Sequence, residues 1–112
     1  MSKPFTIFML VKTTARWLAL APPARFAFLE KTIKPILGKH PDVRMRFFDV
    51  EAFSARTSDV IMWETTDLLR YQSLVEHLRE TPFWDNYFEV QDILPGLENA
   101  YADHYDVAPV AA

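Results

Sequence analysis

Five charged residues, Arg44, Arg46, Asp49, Glu51 and Glu64, stand inside stretches that are otherwise apolar. Ionised groups are costly to bury unless they are paired. They are therefore the first candidates for chemistry. Two strand registers are open. In one, Asp49 and Glu64 share a face near Phe47 and Met62, with Arg44 and Arg46 opposite. A one-residue slip puts Arg46 on the face of Glu64 and brings Trp63 beside Asp49. A structural ion pair or a salt bridge between subunits would account for these charges. The other reading is a ligand anchor (Arg46) or a carboxylate base in a cavity (Asp49, Glu64).

His77 stands at the border of the apolar stripe Tyr71, Leu74 and Leu78. It reads either as a half-exposed helix residue or as a general acid/base at neutral pH. His40 precedes a proline and is expected to face solvent, and His104 lies between Tyr101 and Tyr105. The three histidines share no element at ligand spacing, so no metal site is predicted. Trp63, Tyr71, Phe83, Trp84, Tyr87 and Phe88 supply a core, an interface, or the walls of a flat apolar cavity. Trp63, Tyr71 and Trp84 are the ligand-binding candidates among them.

Composition narrows the classes. The 112 residues contain no cysteine, which excludes disulfides, thiolate metal sites and a Cys nucleophile. Two glycines leave no Gly-rich phosphate or dinucleotide loop. Neither Ser54 nor Ser73 sits in a nucleophile-elbow sequence. A net charge of −3 without a basic run argues against nucleic acid. Half of the residues are hydrophobic, enough for one folded domain. No stretch reaches the length of a membrane span or has the form of a signal peptide, so a soluble cytoplasmic protein is expected.

Periodicity supplies the elements that must position these side chains. Strands are predicted near 5–13, 43–53, 59–65 and 87–94. A helix is predicted over 22–37, from Pro22-Pro23 to Gly38 just past its end, with Pro35 distorting its last turn. A second helix follows the Thr66-Asp67 cap. A short one is expected from Thr81-Pro82 through Tyr87, and a turn at Pro95-Gly96. Residues 1–107 then form a single domain and 108–112 a flexible tail. The order β-α-β-β-α-β is the ferredoxin-like, α+β arrangement: a four-stranded antiparallel sheet with both helices on one face. Strand one is nonetheless apolar on both faces, with Phe8 and Leu10 opposite Ile7 and Met9, and strand three repeats the pattern. A lone domain would expose an apolar sheet. A homodimer packed face to face, a dimeric α/β barrel, removes that exposure.

Thr6-Ile-Phe-Met-Leu-Val-Lys-Thr-Thr14, Met45-Arg-Phe-Phe-Asp-Val-Glu-Ala-Phe-Ser-Ala-Arg56, Leu78-Arg-Glu-Thr-Pro-Phe-Trp84 and Leu94-Pro-Gly-Leu-Glu-Asn-Ala-Tyr101 resemble the darcynin family over roughly residues 5 to 106. Darcynins are small bacterial proteins without an assigned activity, so the resemblance carries over no catalytic residue. His77-Leu-Arg-Glu-Thr-Pro-Phe is also similar to a His…Thr-Pro-His-Phe stretch of antibiotic-biosynthesis monooxygenase-like dimeric α/β barrels, with Phe83 in place of the second His. That superfamily includes cofactor-free oxygenases, isomerases, cyclases and haem proteins, so it implies a fold and not an activity.

The function expected on these grounds is small-molecule binding, extending to cofactor-independent catalysis of the oxygenase, isomerase or cyclase type on a flat apolar substrate. His77, Asp49 or Glu64 would move the proton and Arg46 would hold an anion. The partners expected are a second copy of the chain and a small aromatic ligand, with no bound cofactor. The alternative is a non-catalytic ligand-binding or dimer-forming accessory protein.

Overall fold

A computed structural model describes residues 3–111. Four strands form one antiparallel sheet in the order β2-β3-β1-β4: β1 Phe5–Thr13, β2 Arg44–Asp49, β3 Asp59–Thr65 and β4 Phe88–Leu97. Helical segments α1 Ala15–Ala19, α2 Pro22–Phe28 and α3 Lys34–Gly38 join β1 to β2. Helix α4 Leu68–Arg79 joins β3 to β4, and α5 Ala100–Tyr105 follows β4. This is the expected ferredoxin-like α+β topology.

The strand period of two sorts the sheet. Ile7, Met9 and Val11 of β1 and Ile61 and Trp63 of β3 point toward the helices. They form one core with Ile33, Leu74, Leu78, Phe83 and Phe88. Residues of the other parity, Phe8, Leu10, Val60 and Met62, line the face without helices, where Phe8 is 41 % exposed. The two-sided apolar pattern read from β1 and β3 is therefore a buried face and a bare face. In β2, Arg44 stands opposite Glu64, Arg46 opposite Met62 and Asp49 opposite Asp59. The faces are those of the slipped register, with Arg46 on the bare face with Glu64 and Asp49 on the helix side with Trp63, but Trp63 stands opposite Met45 and not beside Asp49.

Several elements differ from expectation for identifiable reasons. The helix predicted over 22–37 is interrupted by a π-helical turn at Leu29–Ile33. Pro35 has no N–H for the carbonyl four residues back, and its ring crowds that carbonyl. A wider turn just ahead of it absorbs the misfit. Gly38 closes α3 from inside the helix without a positive φ, and a Cβ there would meet nothing within 4 Å. β2 ends at Asp49, because residues 50–58 turn back through hydrogen bonds to the carbonyls of Val50 and Ser58. The helix expected after Thr81-Pro82 is absent. Asp85 takes φ 68°, outside the helical region, and Phe83 donates its N–H to the Thr81 hydroxyl. β4 runs through the predicted turn at Pro95-Gly96 to Leu97. An edge strand tolerates proline, since no further strand needs its missing donor. α1, capped by the Thr14 hydroxyl, and α5 were not predicted. Of the tail expected at 108–112, residues 108–111 take no helix or strand. Ala112 lies outside the described residues.

Candidate functional site

The cavity between the helix layer and the β2–β3 half of the sheet measures about 540 Å³. That is room for a small organic molecule. Trp17, Phe26, Leu29 and Leu37 line it from the helices, and Met45, Phe47, Ile61 and Trp63 from the strands. Its polar end is made by Thr13, Asp49, Glu51, Ser58 and Asp59.

Asp59 is the most perturbed group of that end. It opens β3 in phase with Ile61 and Trp63, so its side chain is turned inward and is only 4 % exposed. Burial pushes its carboxyl up from 3.8 to about 6. The Ser58 hydroxyl, donating to Oδ2 at 2.7 Å, works against the rise, and the nearby Glu51 and Asp49 add to it. Ser58 is fixed in turn by its N–H to the Val11 carbonyl at 3.0 Å and by the Thr13 N–H donating to its hydroxyl at 2.8 Å. Carboxylate oxygens of Asp49, Glu51 and Asp59 lie within 4.8 Å of one another, and Asp49 and Glu51 are exposed. Among the described residues, this is the one group of acidic and histidine side chains close enough to share a hard cation.

The residues singled out in the sequence separate. Trp63 and Asp49 line the cavity; Arg46, Glu64, Tyr71, His77 and Trp84 do not. Glu64 pairs with Arg44 at 3.3 Å on the bare face, and the Arg46 guanidinium lies 5.1 Å from the Phe48 ring centroid. Tyr71 stands edge-on to Trp63 with centroids 6.5 Å apart, and burial pushes its hydroxyl pKa up. The Trp63 indole N–H and the Tyr71 hydroxyl are buried without hydrogen-bond partners. Trp84 carries the Arg79 guanidinium 5.9 Å from its ring centroid. His77 is exposed on α4, its ring 5.4 Å from that of His40.

His40 itself departs from the expected solvent position. It is 2 % exposed, with Nδ1 2.9 Å from the Ile36 carbonyl and Nε2 3.2 Å from the Ser73 hydroxyl. A ring that bonds the end of α3 and the side of α4 is more useful to the fold inside than out. None of the three histidines lines the cavity.

Asp59 is the site residue missed in the sequence. Its signal was available: it falls on the inward parity set by Ile61, Trp63 and Thr65, two positions before the first of them. It opens the strand expected over 59–65 but adjoins the polar 54–58 loop, where a charge does not stand out as it does inside an apolar run.

Comparison with known proteins agrees with the fold. A chlorite dismutase variant from Candidatus Nitrospira defluvii superposes with a TM-score of 0.78 at 20 % identity over 95 % of this chain. The same enzyme with imidazole bound superposes at 0.71 and 11 % identity, over 84 % of this chain. The chain spans less than half of either structure, 44 % and 39 %. At such identities the likeness is one of fold. Sequence relatives are nearer. A darcynin homolog of Granulibacter bethesdensis is 55 % identical over 101 residues, 89 % of this chain and 82 % of that protein. One of Streptomyces avermitilis is 52 % identical over 109 residues, 96 % of this chain and 90 % of that protein. A family model described as darcynin, a domain of unknown function, matches residues 1–112. Matched along its whole length, and identical at more than half of the aligned positions to two relatives of similar size, the chain belongs to the darcynin family.

Proposed function

We propose that this darcynin is a small-molecule-binding protein whose cavity takes a flat, mainly apolar compound, with Asp59 as its polar anchor. One observation carries the reading: a cavity of about 540 Å³ with aromatic and aliphatic walls ends on a buried carboxyl whose pKa is raised to about 6. Such a group in an apolar cleft costs stability and is characteristic of functional sites. It also exchanges a proton readily near neutral pH, which suits cofactor-independent general acid/base chemistry. Asp49 and Trp63, singled out from the sequence, serve the same site as a neighbouring carboxylate and an aromatic wall.

The test is a melting-temperature screen of the wild type against planar aromatic compounds that are neutral, acidic and basic. At least one class raises the melting temperature, and filling the cavity by Ile61→Trp removes that rise. If no compound shifts the wild type, the reading fails.

Assembly is a second part of the proposal, supported by the bare sheet face. Phe8, Leu10, Phe48, Val60, Met62 and Leu94 form its apolar centre. Arg44 and Arg46 lie at its β2 edge and Asp92 toward its β4 edge. A two-fold axis along the strands lays the β2 edge of one copy over the β4 edge of the other, opposing these charges. A second copy of the chain is thus the occupant that matches this face in both apolarity and charge.

A further inference from the structure

Ser73 and His40 meet away from the cavity, where the end of α3 packs on α4. Ser73 lies in the middle of α4, and its hydroxyl is 3.2 Å from His40 Nε2. His40 Nδ1 is 2.9 Å from the Ile36 carbonyl. A carbonyl oxygen only accepts, so Nδ1 carries the ring hydrogen and Nε2 offers a lone pair. The Ser73 hydroxyl therefore donates to Nε2. A hydroxyl, a base placed to take its proton, and a third group that fixes the tautomer of the base are the parts of an activated nucleophile. Sequence offers no sign of it, since Ser73 lacks a nucleophile-elbow setting and its base comes from 33 residues away.

Burial is divided as such a pair requires. His40 is 2 % exposed and engaged at both ring nitrogens, while Ser73 is half-buried. A further donor stands beside them. His77 is exposed one turn beyond Ser73 on the same face of α4, with its ring 5.4 Å from that of His40. Arg70, one turn before Ser73, is committed elsewhere: Nε donates to the Asp42 carboxylate at 3.1 Å and Nη2 to the Lys39 carbonyl at 3.0 Å.

We propose that Ser73, His40 and His77 form an acyl-transfer site for small activated esters and thioesters. Ser73 Oγ bonds to the acyl carbon while its proton passes to His40 Nε2, and His77 donates to the carbonyl oxygen as that oxygen gains negative charge. The bond from carbon to the leaving group then breaks, and the departing alkoxide or thiolate takes the proton from His40. Water, deprotonated by the same nitrogen, releases the acid and restores Ser73. The three residues lie outside the cavity lining, so no apolar wall selects a long acyl chain.

Peptide-mapping mass spectrometry of the folded wild type treated with diisopropyl fluorophosphate tests the assignment. This probe bonds its phosphorus to an activated serine oxygen and releases fluoride. Ser54, also half-buried but held in a loop by the Arg56 and Thr57 N–H groups, is the internal control. The adduct is expected on Ser73, forming at least about a hundred-fold faster than on Ser54. Ser73→Ala removes it, and His40→Gln slows it to the Ser54 rate. Because His40→Gln can unfold the chain, the wild type in concentrated urea is the second check: the advantage of Ser73 disappears with the fold. With p-nitrophenyl acetate, His77→Ala lowers the rate of Ser73 acetylation about ten-fold, the worth of one hydrogen bond, and His77→Gln, which keeps a donor, restores most of it. No Ser73 adduct in the wild type, or one no faster than on Ser54, overturns the proposal and leaves His40 as a structural tie between α3 and α4. An unchanged rate in His77→Ala overturns the part given to His77. None of these outcomes bears on the cavity.

Discussion

Asp59 concentrates the cost and the use of the site in one residue. Its carboxyl is raised to about 6 in the folded chain, against 3.8 unperturbed. Between those values the folded state holds more of the proton than the unfolded state does, so stability falls as the pH rises from 4 to 6 and levels off above. Asp59→Asn keeps an oxygen for the Ser58 hydroxyl and removes the buried charge. It should flatten that slope and raise stability at pH 8 by roughly 2 kcal/mol, read from urea unfolding at pH 4, 6 and 8. An unchanged slope in the variant would mean that Asp59 does not titrate as described. The residue was legible in principle, since strand parity alone turns it inward with Ile61 and Trp63. Arg46 and Glu64 were noticed because charges in apolar strands stand out, but their face depends on a register that sequence left open. Pairing of Arg44 with Glu64 fixes both on the bare face. Arg46 is exposed there and Glu64 half-buried beside the exposed Arg44, so Glu64→Gln should change monomer stability by less than about 1 kcal/mol in the same urea assay.

At the scale of elements, the strands and the long α4 were readable because periodicity and capping agree. Asp67 accepts hydrogen bonds from the Leu69 and Arg70 N–H groups, and Leu74 and Leu78 bury the inner face of that helix. Asp67→Ala should therefore destabilise the fold by about 1 kcal/mol, measured by thermal unfolding, without altering ligand affinity, because α4 reaches the cavity only through Leu78. Elements fixed by single backbone choices were not readable. The π-helical turn at Leu29–Ile33 depends on how the chain accommodates Pro35, and the missing helix after Pro82 depends on the left-handed backbone of Asp85. The π-helical turn also shapes the site, since Leu29 and Ile33 both line the cavity. The candidate site was only half legible for this reason. Its sheet wall follows from parity, whereas its helix wall depends on a distortion that periodicity does not encode.

On the scale of the whole molecule, the sheet has two unlike faces, and each has its own use. Helices cover one and enclose the cavity; the other carries Phe8, Phe48 and Leu94, all partly exposed. If a second copy covers it, light scattering at micromolar concentration gives about twice the chain mass of 13.0 kDa. Phe8→Glu should then return a folded monomer, since removing the apolar centre of an interface costs more than altering its rim. A monomeric wild type would contradict the assembly without touching the cavity, which lies on the opposite side of the sheet. The most direct measurement is a two-dimensional NMR titration of the labelled wild type with the planar aromatic compounds, neutral, acidic and basic, of the melting-temperature screen. Shifts are predicted to cluster at Leu29, Phe47, Asp59, Ile61 and Trp63. No saturable shifts, or shifts confined to the bare face around Phe8 and Met62, would contradict it.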